Sequence, residues 1–133
     1  AKLDACNQES FCFIDKPESG LSFSHVAEGL WKFRQMYKGH LSLDVMFIPS
    51  NAVLAEQMAS LTKVLNPNSI HLNTPLRDCA VDFVKPDQMK MIREAFNGQN
   101  VTTVYEQERQ LAVCNDPAIV RRHGRPRRVK VTM

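Results

Sequence analysis

No apolar run in these 133 residues approaches the roughly 18 needed for a membrane-spanning helix, and no charged-then-apolar leader pattern opens the chain. The expectation is a soluble, cytoplasmic protein. The common enzymatic signatures are missing too: there is no glycine-rich phosphate loop, no Gly-x-Ser-x-Gly elbow, no His-Glu-x-x-His and no dinucleotide fingerprint. Histidines are few and do not assemble, since His25 and His40 flank a helix, His71 falls mid-strand and His123 lies in a basic tail. None has an evident carboxylate or nucleophile partner, so a histidine-based mechanism has no support at this level. The four cysteines, Cys6, Cys12, Cys79 and Cys114, are too scattered for a zinc knuckle and too few for a disulfide scaffold. They read as small, reduced, mostly buried side chains.

What remains is a chain with 44% hydrophobic residues, enough for the core of one domain. The net charge of +3 is unevenly placed. Arg121, Arg122, Arg125, Arg127, Arg128 and Lys130 hold six of the seventeen basic residues, leaving eleven against fourteen acids in a mildly acidic body. Such a tail reads as a solvated end rather than a nucleic-acid arm; a tail-driven RNA binder would lose binding when residues 121–130 are removed.

Helix and strand periods alternate along the chain. Lys2–Ala5 reads as the end of a strand, and Asn7 caps a short helix through Ile14 with Phe11 and Ile14 inward. Ser22 or Ser24 opens a helix to about Lys38, its buried stripe Val26, Leu30, Phe33 and Tyr37, with Trp31 at the flank and Gly39 as the stop. Leu41–Ile48 is a strand with Leu41, Leu43, Val45 and Phe47 on one face and Met46 and Ile48 on the other. Pro49 ends it, Asn51 caps the next helix, and Leu54, Met58, Leu61 and Leu65 form that helix's apolar stripe. Asn66–Asn68 stops this helix, Ser69–Thr74 is a second full strand, and Leu76–Val84 is a loop. Pro86 and Gly98 bracket a helix with Met89, Ile92, Ala95 and Phe96 inward, and Val101–Tyr105 is a further strand. Beyond Glu106 the pattern fades to extended runs at Leu111–Cys114 and Val129–Thr132 and a turn at Pro117–Val120.

This β-α-β-α-β-α-β order defines an α/β protein with parallel strands. It is too short to close an eight-stranded barrel, so the sheet is open, or half of a barrel, or completed by another chain. Ligands in all three cases belong at the carboxyl ends of the strands. Those ends supply Asp4, Ser50, Asn51, Asn73, Thr74, Arg77 and Glu106. Each also has a structural use: Asp4 or Asn51 as a helix cap, Thr74–Pro75 as a strand terminator, Arg77 as a partner of Asp78 or Asp82. As a set they outline a polar rim suited to a small anionic or hydrogen-bonding ligand.

Lys2-Leu-Asp-Ala5, Asp15-Lys-Pro17, the helix carrying Gly29-Leu30, Leu43-Asp-Val-Met-Phe-Ile-Pro-Ser-Asn51, His71-Leu-Asn-Thr-Pro-Leu-Arg77 and Val84-Lys-Pro86 together resemble the C-terminal half of a radical S-adenosylmethionine (radical SAM) enzyme. The branch resembled is the iron–sulfur oxidoreductase and activating-enzyme type, and the Arg121–Pro126 tail is similar as well. The resemblance spans most of residues 1–110. It implies a partial (β/α)₆ barrel of TIM type in which a [4Fe–4S] cluster reductively cleaves S-adenosylmethionine to a 5′-deoxyadenosyl radical for hydrogen abstraction. It places Asp4 toward the ribose or methionine part and the Ile48–Asn51 turn, with Ser50, along the adenine side. The Asn73–Arg77 loop, with Thr74, faces cofactor or substrate.

The family's Cys-x-x-x-Cys-x-x-Cys motif is absent, and the four cysteines present do not replace it on spacing. The expectation is therefore a fragment: residues 1–110 forming half of the barrel, residues 111–133 an extension with a basic tail. Alone it would be inactive and hold neither cofactor nor metal. Its exposed sheet edge at Lys2–Ala5 would favour a homodimer. The alternative is a small α/β binding or interaction module without catalysis.

Overall fold

Leu43 and Val45 alternate with Asp44, and Ile70 and Leu72 with His71, so each strand has one face for a core and one without. The structure, a computed structural model, describes residues 1–107. Its elements are α1 (Gln8–Ile14), α2 (Phe23–Met36), β1 (Ser42–Met46), a 3₁₀ turn (Ala52–Leu54), α3 (Ala55–Leu65), β2 (Ser69–Asn73), α4 (Pro86–Ala95) and β3 (Val101–Thr103). The three strands are parallel in the order β1-β2-β3, with Asp44 opposite His71 and His71 opposite Thr102.

Strands that are neighbours in both sequence and space, joined by right-handed crossovers, must carry their helices on one face. The core agrees: Leu43, Val45 and Phe47 of the first strand region and Ile70 and Leu72 of β2 meet Met58 and Leu65 of α3 and Met89, Ile92 and Phe96 around α4. Phe47 and Phe96 meet edge to face with ring centroids 6.2 Å apart. The opposite face, carrying Ser42, Asp44, Met46, Ser69, His71, Asn73 and Thr102, has no helix over it among the described residues.

Met58, Leu61 and Leu65 of the predicted α3 stripe and Met89, Ile92, Ala95 and Phe96 of the α4 stripe pack on the core, while Leu54 falls in the 3₁₀ turn before α3. The Asn7 and Ser22 caps and Pro86 at the helix start are observed as well. Asn66 ends α3 in the left-handed conformation (φ 51°). Several expectations are corrected. Lys2–Ala5 contributes one parallel bridge, Lys2 to Asp44, because side chains replace the next backbone partners. No residue of α2 is buried; its contact stripe toward α3 is Ala27, Leu30 and Trp31, while Phe33 and Tyr37 lie exposed and stacked 5.1 Å apart. Gly39 is not a left-handed stop: α2 ends at Met36, and a Cβ on Gly39 would meet the Tyr37 ring. Cys12 and Cys79 are exposed and Cys6 half-buried, because Cys12 faces outward from α1 and Cys79 sits in the loop after β2. The expected elements at 111–114, 117–120 and 129–132, and the basic tail, lie outside the described residues. No helix among the described residues is long and apolar enough to cross a membrane.

Candidate functional site

Parallel strands bring their carboxyl ends to one side, and all six cofactor candidates lie there: Asp4, Ser50, Asn51, Asn73, Thr74 and Arg77. Their side chains have different work.

Asn51 is 3% exposed and stitched into its own turn. Its Oδ1 accepts the Ile48 N–H at 2.8 Å and its Nδ2 donates to the Met46 carbonyl at 3.0 Å. It stands at the start of the 3₁₀ turn without capping it, contrary to the predicted role. Thr74 is equally committed, its buried Oγ1 accepting the Val84 N–H at 2.8 Å and so closing the loop after β2. Asp4, also buried, accepts the Met46 N–H at 2.9 Å and pairs with Lys2 Nζ at 2.8 Å; it caps no helix. Glu106 accepts the Thr103 N–H at 2.7 Å and pairs with Arg93 at 3.3 Å, so it anchors the exit of β3.

Ser50 and Arg77 are exposed and make no side-chain hydrogen bond or ion pair among the described residues, so Arg77 pairs with neither Asp78 nor Asp82. Asn73 reaches across to Asp44, its Nδ2 3.4 Å from Oδ1. Ser50 borders a cleft of about 290 Å³ between α1 and the loop after β1, walled by Phe13, Val53 and Leu54 with Asn7 and Ser10 on its polar side. A second groove of about 230 Å³ runs along the sheet edge past Lys2, Asp4, Asp15, Phe11 and Phe23. There the hydrogen bond and charge of Asp4 hold the Lys2 ammonium above the ordinary lysine value. Partial burial, then the Asp4 charge, push the Asp15 carboxyl above the usual carboxylate range.

The rim reading missed the open face itself. A row runs across it from Lys2 through Asp44 and His71 to Thr102, each opposite the next. Gln107, just past β3, turns back so that its Nε2 lies 3.2 Å from His71 Nδ1. Ser42 and Ser69 hydrogen-bond at 2.8 Å lower on the same face. The signal was available: parallel sheets are covered on both faces and read as continuous apolar runs, whereas β1 and β2 insert Asp44 and His71 at mid-strand. Among the described residues no three His, Cys, Asp or Glu side chains converge into a metal-binding group.

Over 94 residues the chain is 32% identical to the UPF0026 protein MJ1312 of Methanocaldococcus jannaschii, a match covering 68% of this chain and 29% of that protein. Over 78 residues it is 31% identical to the GTPase Obg of Brachyspira hyodysenteriae, covering 56% of this chain and 12% of that protein. The chain thus spans less than a third of either curated relative. No family model and no solved structure matches.

Proposed function

We propose that these residues form part of the barrel wall of a radical SAM enzyme, with the polar sheet face turned to the lumen and the strand ends toward the cofactor. One observation carries the reading: an all-parallel, sequentially ordered sheet with its helices on one face and polar side chains on the other. A doubly wound sheet reverses strand order and packs helices on both faces; a barrel wall does neither. A barrel filled with its own side chains would put Val, Ile or Leu inward, so Asp44, His71 and Thr102 favour a lumen that holds a polar ligand.

The residues fit part of S-adenosylmethionine. Ser50 and Asn73 keep polar atoms at the rim, and the Phe13–Val53 cleft suits an apolar ring, whereas Asn51 and Thr74 would only shape the turns. The cluster thiolates would come from residues beyond this chain, which spans 29% of one curated relative. When bound, S-adenosylmethionine and the reduced cluster supply the radical for hydrogen abstraction; this chain's part is to bind and orient. Free Cys6, Cys12 and Cys79 suit a reducing, cytoplasmic setting.

The test begins with the codons upstream of Ala1. A Cys-x-x-x-Cys-x-x-Cys motif in frame, followed by 5′-deoxyadenosine release from the full chain reconstituted anaerobically with S-adenosylmethionine and reductant, is the expected result. A start codon directly before Ala1, or a full chain that releases no 5′-deoxyadenosine, sinks the radical reading and leaves a plain binding module.

A homodimer through the Lys2 edge is part of the proposal, because the outer side of residues 2–5 has no strand beside it among the described residues. Light scattering should give twice the chain mass. A strict monomer removes this element.

A further inference from the structure

We infer that His71 and Asp44 form the donor–acceptor pair that grips the ligand on the open face, and that this ligand is a neutral or cationic small molecule with a hydroxyl or amino group beside a carbonyl. The inference rests on reading that face as ligand-lining. An amide Nε2 can only donate, so the Gln107 contact makes His71 Nδ1 the acceptor and places the ring proton on Nε2. The His71 Nε2–H is therefore the donor that an acceptor such as a carbonyl oxygen can engage.

Directly opposite on β1, Asp44 is exposed and makes no ion pair among the described residues, since Lys2 is taken up by Asp4 at 2.8 Å. Its one side-chain contact is the long 3.4 Å approach of Asn73. The face thus offers an exposed carboxylate, offset only through space by the Lys2 charge, next to an N–H donor, which attracts hydroxyl or ammonium groups and disfavours phosphate. As register partners the two residues start from backbones about 5 Å apart, so both side chains can reach one small molecule.

The test uses this chain in solution with serinamide, which carries an ammonium, a hydroxyl and a carbonyl, and with inorganic phosphate as the opposing probe. Long-range ¹H–¹⁵N spectra should show His71 as the Nε2–H tautomer, and Gln107→Ala should return it to the mixture of a free imidazole. Serinamide should shift the His71 nitrogens, Asp44→Asn should weaken that binding roughly tenfold or more, and phosphate should leave the ring unmoved. A free-imidazole mixture in the parent chain, no response to serinamide, an equal response to phosphate, or indifference to Asp44→Asn would overturn the inference. Release of 5′-deoxyadenosine plays no part in this readout, so failure of the radical reading and failure of this site give different results.

Discussion

Asp4 Oδ1 accepts the Met46 N–H at 2.9 Å, where the carbonyl of Leu3 would stand if the parallel ladder begun by Lys2 and Asp44 continued. The other half of that step, the Met46 carbonyl, is taken by Asn51. Two side chains thus close the sheet edge at the carboxyl end of β1. Asp4→Asn keeps an acceptor and gives up an ion pair whose lysine is largely exposed, so the loss should stay within about 1 kcal/mol. Asp4→Ala strands a backbone donor and should lose about 1–3 kcal/mol. Urea unfolding of the two variants separates the roles, and equal losses would show that the ion pair matters rather than the ladder.

Ser50 and Asn51 are adjacent in sequence and opposite in duty. Asn51→Ala removes both partners of a buried turn and should lose upwards of about 2 kcal/mol. Ser50→Ala at an exposed site should stay within about 0.5 kcal/mol. If the proposed cofactor site is right, Ser50, with Asn73, is the position at which a loss of affinity would report on contact rather than on folding. A large thermal destabilisation from Ser50→Ala would contradict this division.

Thr74 ties Val84 across the loop after β2, and Tyr105 donates to the Val84 carbonyl at 2.6 Å. Thr74→Val should cost about 1–3 kcal/mol and expose residues 75–83 to limited proteolysis, while Thr74→Ser should retain the parent's resistance. Cleavage elsewhere, or no change in cleavage, would break the link.

Two carboxylates give opposite pH signatures. The Asp15 carboxyl lies above its ordinary value in the fold, so the unfolded chain ionises first and stability falls as pH rises from about 3.8 through the folded pKa. The Thr103 N–H lowers Glu106, with Arg93 adding to it, so its stabilisation is full above about 4.5 and is lost as pH falls through the folded pKa. Relative to the parent, Asp15→Asn should be more stable at pH 7 than at pH 3, and Glu106→Gln less stable. Denaturant titrations at the two pH values check both signs.

The alternation of Leu43, Val45, Ile70 and Leu72 and the punctuation by Pro86, Asn7 and Ser22 made the α/β order legible, because burial and backbone chemistry are local properties. The side-chain roles of Asn51 and Thr74 were not, since a polar residue at a strand end has the same sequence appearance whether it faces a ligand or a stray backbone N–H. The α2 stripe misled for a related reason. Val26, Ala27, Leu30, Trp31, Phe33 and Tyr37 offer two overlapping helical faces, and only the position of α3 selects between them. Asp44 and His71 were visible as anomalies in apolar strands, yet their pairing depends on a register that no single strand encodes.

Among the described residues every strand pairs with the one that precedes it in the chain. Assembly can therefore advance from one end as a moving front, each new strand docking on a surface already in place with only a single crossover to close. A chain built this way can settle progressively during its synthesis, and further strand–helix units can be appended at the growing edge without disturbing the pairs laid down before.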